Sequence, residues 1–232
     1  MISAEMIITI DGPAGAGKST AARGLAERLG FEFLDTGAMY RTVAWACLER
    51  GIDLSDSEAV AKVAQGLTLT FEGESVFCDG QNVTSQIRTA QSSEAASIVA
   101  AVPAVRHEMV RLQREAAANR NVVSEGRDQG TIVFPDADCK FFVTADPKER
   151  AVRRHAELVA KGEDEPFDDV LRQIVDRDER DRTREVAPLI VPEDALEVDT
   201  SSKTPAEVIV DLEATARQKL GLASSTSLFE QA

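Results

Sequence analysis

Gly12-Pro13-Ala14-Gly15-Ala16-Gly17-Lys18-Ser19 fits the phosphate-binding pattern G-x-x-x-x-G-K-[ST], and its flanks supply the context that pattern needs. The apolar, β-branched run Met6-Ile7-Ile8-Thr9-Ile10 precedes it. Ala21, Ala22, Leu25, Ala26 and Leu29 follow at helical spacing. A strand feeding a glycine loop feeding a helix turns unpaired backbone N–H groups inward at the positive end of the helix dipole, and such a concavity binds phosphate. In this setting Lys18 is expected to reach the β- and γ-phosphates of a nucleotide, and the Ser19 hydroxyl to ligate Mg²⁺.

The 232 residues suit one α/β domain with insertions, and a chain of this size buries about 70% of its unfolded surface. The hydrophobic fraction of 43% marks a globular chain, and the formal net charge of −14 argues against a nucleic-acid groove as its main business. Cys47, Cys78 and Cys139 are odd in number and lack C-x-x-C spacing, which speaks against a disulfide framework or zinc site and fits a reducing compartment. No signal-peptide pattern opens the chain and no apolar run approaches the roughly 18 residues of a membrane span. A soluble, cytoplasmic protein is expected. His107 and His155 each read as surface or helix residues.

Strand and helix patterns alternate along the chain. Short strands are expected at 31–34, 121–124, 140–144 and 195–198. Helices are expected over Ala38–Arg50, around Ala104–Ala118, after Asp146-Pro147, and from the capping box Thr204-Pro205-Ala206-Glu207 to Gly221, with Val208, Ile209, Leu212 and Leu220 as the apolar face of the last. Alternation of this kind implies a parallel sheet with helices on both faces. Leu67–Phe71 and Ser75–Cys78, joined by Glu72-Gly73-Glu74, break the rhythm as a β-hairpin, so residues 60–100 read as an inserted subdomain. The small, polar stretch 223–232 reads as a mobile tail.

A phosphate loop alone does not separate GTPases, motor ATPases and small-molecule kinases. The guanine-reading N-K-x-D segment is absent, whereas eight of nineteen arginines fall between positions 150 and 184. Arg150, Arg153 and Arg154 share one helical face by spacing, as do Arg177, Arg180 and Arg184. Arginine forks suit phosphate oxygens and keep their charge. Taken singly, each arginine is equally well explained by pairing with Glu149, Glu157, Asp176, Asp178, Glu179 or Asp181 on a solvated helix. Asp35-Thr36-Gly37-Ala38-Met39-Tyr40-Arg41 and Ser124-Glu125-Gly126-Arg127-Asp128 each follow an expected strand. In a doubly wound sheet, ligands bind at those strand ends. Asp35 or Thr36 as a plain helix cap, and Gly126 as a turn, are the alternatives.

With these stretches in hand, the chain resembles the bacterial cytidylate kinases, in the nucleoside monophosphate kinase group. The resemblance is carried by Ile8–Thr20, Leu34–Arg41, the G-R-D-x-G-T-x-V-F-P segment from Gly126, and the R-D-x-R-D-x-x-R-x-x-A-P-L segment from Arg177. It implies a three-layer α/β phosphate-loop kinase fold with a central parallel sheet, a monophosphate-binding insert at 60–100 and a short lid at 157–167. The core would be 1–59, 101–155 and 170–222 of a single domain, 1–222. It further implies transfer of the ATP γ-phosphate to CMP and dCMP with Mg²⁺, in pyrimidine nucleotide metabolism, by a monomer without nucleic-acid or membrane partners.

The site residues implied for ATP are Gly12, Pro13, Ala14, Gly15, Ala16, Gly17, Lys18, Ser19, Thr20 and Arg153. Those implied for the acceptor are Thr36, Tyr40, Arg41, Ser97, Arg106, Arg127, Asp128, Arg177, Asp181 and Arg184. By the resemblance Ser97, Arg106 and Asp128 read cytosine, Arg177 and Asp181 lie near the ribose, and Arg41, Arg127 and Arg184 near the phosphate. Lys18, Arg127, Arg177, Arg184 and Asp128 would carry catalysis, with Ser19 on the metal. A carboxylate at Asp128 suits the cytosine N4 amino group and would face an acceptor in uracil. Glu125 departs from the aspartate common at that place in the family. Two other readings remain open: the same fold acting on another small acceptor, and a nucleotide-dependent switch without turnover.

Overall fold

Ile8, Thr9 and Ile10 are wholly buried, as a β-branched strand covered on both faces should be, and they form β1 (Ile7–Asp11) at the centre of a sheet. The structure is a computed structural model and describes residues 5–223. β1 pairs in parallel with β6 (Val122–Gly126) on one side and β7 (Cys139–Thr144) on the other, and β7 pairs in parallel with β8 (Leu196–Asp199). With β2 (Glu32–Asp35) the sheet order is β2-β6-β1-β7-β8. The register sets Asp11 beside Gly126 and Ile10 beside Glu125, so β1 and β6 end side by side.

The described residues group into two compact units. The first holds the chain through Leu34, Ala117–Thr183 and the chain from Ala187 onward. Its main core joins Ile8, Ile10, Phe141 and Val143 of the sheet to Leu25 of α1 (Lys18–Leu29) and Leu212 of α8 (Pro205–Leu220). A smaller core of Ala151, Leu158, Val170 and Ile174 zips α6 (Pro147–Ala160) to α7 (Phe167–Thr183). The caps read from the sequence are present. Asp146 accepts the Lys148 N–H, Thr204 and Glu207 form a reciprocal box, and Gly221 ends α8 at φ 64°.

The second unit is Asp35–Ala116 with Arg184–Val186, so the 60–100 segment lies wholly inside it. It contains α2 (Thr36–Glu49), α3 (Ser57–Gly66), the antiparallel strands β3 (Leu69–Glu72), β4 (Ser75–Cys78) and β5 (Gln81–Asn82), α4 (Ala90–Val99) and α5 (Pro103–Ala117). Met39, Val43, Val60, Val83, Ile87, Val105 and Met109 build its core. The hairpin turns tightly at Gly73-Glu74, with Glu72 paired to Ser75 inside the ladder.

Three features depart from the sequence reading. β5 adds a third strand. α3 and α4 are helices, capped by Asp56 and Thr89; the small residues of α4 give weak periodicity, whereas α3 buries Val60, Val63 and Ala64 at helical spacing, a signal the sequence did offer. Gln129–Val133 forms one π-helical turn, with Val133 N–H bonded to Asp128 C=O and Phe134 N–H to Gln129 C=O. The three cysteines are buried and free. Among the described residues no helix is long and apolar enough to cross a membrane. The tail assigned to 223–232 lies outside the described residues from position 224 on.

The α8 box gives a direct stability test. Thr204→Ala removes the acceptor for the Glu207 N–H and should cost about 1 kcal/mol. The urea midpoint should fall at unchanged slope; an unmoved midpoint would mean that the box does not hold the helix start.

Candidate functional site

β1 hands the chain to the phosphate loop at Gly12, whose φ of +144° and close approach to β7 admit only glycine: a Cβ there would lie 1.9 Å from the Val143 carbonyl oxygen. The loop closes at Gly17, left-handed at φ 84°, and α1 begins at Lys18. Lys18 is buried and its Nζ donates to the Pro13 carbonyl at 2.7 Å. Burial, with like charge from Arg127 only partly offset by Glu125 and joined by Arg177, lowers its ammonium to about 7. Lys18, Arg127 and Arg177 thus share one field at the loop. A polyanion is what that field favours.

The Ser19 hydroxyl donates to Glu125 Oε1 at 2.9 Å. Glu125 is buried near the end of β6. This hydroxyl–carboxylate pair offers hard oxygen donors of the kind Mg²⁺ takes alongside waters and phosphate oxygens. Among the described residues no group of three or more His, Cys, Asp or Glu side chains is gathered to hold a metal by itself. Thr20 is exposed on the first turn of α1.

Arg127 follows β6 directly. Its Nε donates to Asp181 Oδ2 at 3.0 Å and its Nη1 to the Gly126 carbonyl at 3.1 Å. Burial works against its charge, but Asp181 and Glu125 outweigh it and hold the guanidinium protonated. Asp128 is buried next to it. Arg177 and Asp181 lie one turn apart on α7, as their spacing requires.

The two arginine faces are corrected by the structure. Arg150 is 1% exposed and committed to protein partners. Its Nη1 and Nη2 reach Asp178 at 3.0 and 2.5 Å, its Nη1 also reaches the Ala14 carbonyl at 2.9 Å, and its Nε the Ala145 carbonyl at 3.0 Å. It clamps α6 to α7 and to the phosphate loop. Arg153 turns to Thr200, donating to its Oγ1 at 3.2 Å and its carbonyl at 2.5 Å; Thr200 Oγ1 in turn donates to the Ala16 carbonyl at 3.1 Å. Arg154 pairs with Glu157 at the surface. In the other set α7 ends at Thr183, so Arg184 is not on the helix at all, and Arg180 is exposed. Ala187, at φ 52°, sits where the chain turns away from the helical path.

The second unit carries the other candidates. Asp35 caps α2, accepting the Ala38 N–H at 2.8 Å, and pairs with Arg41 Nη2 at 3.1 Å. The cap alternative is therefore real, and the same carboxylate also orients the arginine. The Nε of Arg41 is buried without a hydrogen-bond partner among the described residues. Thr36 is buried at the start of α2. The Arg106 guanidinium lies 5.5 Å from the centroid of the Tyr40 ring, and its Nη1 donates to the Ala100 carbonyl at 3.1 Å. Ser97 is half-buried on α4, and Arg184 groups with this unit.

Sequence reasoning missed Asp11, Thr200 and the burial of the Arg150–Asp178 pair. Asp11 is 1% exposed and accepts the N–H groups of Gln129 and Gly130. Burial pushes its carboxyl up to about 6 despite those two bonds. A carboxylate ending an otherwise apolar buried strand was the available signal. Thr200 left none, because its partners come from distant segments; Asp178 stood among the carboxylates able to pair the arginines on a solvated helix, but its pair with Arg150 is buried between α6 and α7.

The cytidylate kinase family model matches residues 8–218. Among curated proteins, a cytidylate kinase of Mycobacterium leprae is 46% identical over 94% of this chain and 98% of its own length. One from Caldanaerobacter subterraneus subsp. tengcongensis is 46% identical over 90% and 93%. One from an Enterobacter species is 44% identical over 96% and 100%.

The lowered Lys18 value has a consequence for stability. With a folded value near 7 and an unfolded value of 10.5, the unfolded chain holds more protons between those limits, so stability without nucleotide should rise with pH across that window. Lys18→Met removes this contribution. Urea unfolding of the two proteins from pH 6.5 to 9.5 should show the wild type gaining on the variant as pH rises. Parallel curves would mean that the buried amine stays fully protonated.

Proposed function

The chain belongs to the cytidylate kinase family, and from that premise we propose that it transfers the γ-phosphoryl group of ATP to CMP and dCMP, giving CDP, dCDP and ADP. The observation that carries this reading is the grouping of Lys18, the Ser19–Glu125 pair and Arg127 where β1 and β6 end side by side. Phosphoryl transfer passes through a loose transition state with charge spread over equatorial oxygens, so positioning and fixed positive charge do most of the work. Lys18 and the backbone N–H groups of residues 12–19 bind the donor phosphates. Arg127, Arg177 and Arg184 supply charge around the transferring group, and Asp181 holds the Arg127 fork in one orientation. Mg²⁺, when bound, would neutralise phosphate charge, held at Ser19 with Glu125 ordering its waters.

On the acceptor side, Arg41 is assigned to the monophosphate. Its buried Nε supports this, because an anion oxygen satisfies such a donor. Thr36, Tyr40, Ser97, Arg106 and Asp128 are assigned to the nucleoside, with Asp128 accepting from the cytosine N4 amino group. Arg177 and Asp181 are assigned to the ribose, and Arg153 to the donor side near Thr200. We take 157–167, which spans the last turn of α6, the polar connection 161–166 and the first residue of α7, as a lid that excludes water, and 60–100 as the monophosphate-binding insert of a single domain. The acidic chain is assigned to the cytoplasm as a monomer, without nucleic-acid or membrane partners.

ADP release across a panel of nucleoside monophosphates tests the reading. CMP and dCMP should turn over best, UMP more slowly, and purine monophosphates poorly. Tight nucleotide retention with no acceptor-dependent turnover would favour a switch instead. Asp128→Ala should narrow the cytosine-to-uracil preference, by on the order of 10-fold for the loss of a hydrogen bond to a charged group. An unchanged ratio would remove Asp128 from base recognition.

A further inference from the structure

We propose that Asp11 is a positioning residue for the acceptor half of the reaction. Its carboxylate fixes the backbone that carries Arg127 and Asp128 to the strand that carries the phosphate loop. Asp11 Oδ1 accepts the Gln129 N–H at 2.8 Å and Oδ2 the Gly130 N–H at 2.7 Å. These two N–H groups open the π-helical turn Gln129–Val133, where a helical segment has no carbonyl of its own to offer them. Asp11 is thus the turn's cap, supplied from another strand. An ionised carboxylate has two acceptor oxygens to meet two donors. An amide has one, and would set its own N–H₂ against a backbone N–H.

The turn is held closely from other directions too. A Cβ at Gly130 would lie 2.9 Å from Thr9 Oγ1, so the backbone rests directly on β1. The Ser124 hydroxyl donates to Gln129 Oε1 at 2.7 Å. Asp11 immediately precedes Gly12, while Arg127 and Asp128 immediately precede the capped turn. The β1–β6 ladder carries the chain as far as Gly126, and beyond it the Asp11 side chain continues the tie between the strand of the donor-phosphate loop and the two acceptor ligands. The charged groups that bear on it are Asp128, which disfavours its ionisation, and Lys18, which favours it. An alanine or isoleucine would continue the apolar strand pattern here but leave two buried donors unmet.

The inference rests on the reading of Arg127 as an acceptor-side ligand, and its test separates the two. In the full chain, kinetics with CMP varied and ATP binding without CMP are compared for wild type, Asp11→Asn, Arg127→Lys and the double variant. Asp11→Asn should lower kcat/KM for CMP on the order of 10- to 100-fold, while the ATP dissociation constant stays within about threefold. Arg127→Lys should cost much less in the Asp11→Asn background than in the wild type, because the fork is already misplaced. Effects that multiply, or a loss that falls equally on ATP, overturn the proposal. An Arg127→Lys variant with normal CMP kinetics overturns the acceptor reading itself, and the inference with it. Amide exchange of the wild type needs no variant to fold: the Gln129 and Gly130 amides should be among the protected set, and exchange at open-loop rates would refute the cap.

Discussion

The electrostatics of this site turn on a lysine amine held inside the protein. Lys18 is buried at the start of α1, and its nearest strong neighbours include two more cations, Arg127 and Arg177. Desolvation and like charge both work against its protonated form. Glu125 and Asp11 offset part of this, and further carboxylates hold the neighbouring groups. Glu125 faces Lys18 and takes the Ser19 hydroxyl, Asp181 takes Arg127, and Asp178 takes Arg150. The pairs fix the arginine forks, yet burial first, and the like charge of Arg127 and Arg177 with it, still pulls the Lys18 value down. An acidic protein thus gathers Lys18, Arg127 and Arg177 into one field at the loop, where a polyanion would supply counter-charge.

The parallel sheet makes this possible because β1 and β6 end in register, delivering Asp11 and Glu125-Gly126-Arg127 to neighbouring positions. Backbone geometry then does what side chains cannot. Gly12 turns within contact of the Val143 carbonyl, and the π-helical turn after Asp128 folds back onto β1. Arg150 and Thr200 reach the carbonyls of Ala14 and Ala16, so the phosphate loop is gripped from α6 and from the end of β8. A loop held in this way has little to reorganise when a nucleotide arrives, which is the condition for electrostatic catalysis.

Local signals were readable in the sequence and non-local ones were not. The strand–loop–helix at 7–29, the Asp146 and Thr204 caps and the hairpin at 69–78 depend on residues within a few positions of one another. α4 escaped because an alanine- and serine-rich, weakly periodic segment becomes a helix through its cap and packing rather than pattern, while α3, with the Asp56 cap and Val60, Val63 and Ala64 at helical spacing, was legible and was passed over. The arginine spacing suggested two phosphate-facing stripes. Burial decided otherwise for Arg150, and the end of α7 decided otherwise for Arg184. Asp11 was visible as an odd residue in an apolar strand, but its partners lie 118 and 119 residues away.

Proton uptake on nucleotide binding tests the central claim most directly. At pH 8 the triphosphate with magnesium is fully ionised, whereas a Lys18 amine near 7 is mostly neutral. Bound phosphate should restore its charge. Calorimetric titration of the protein with ATP and Mg²⁺, in buffers of different ionisation enthalpy, should therefore report uptake of about one proton, absent in Lys18→Met. No net uptake by the wild type would contradict the account, because Lys18 would then be charged before the phosphate arrives.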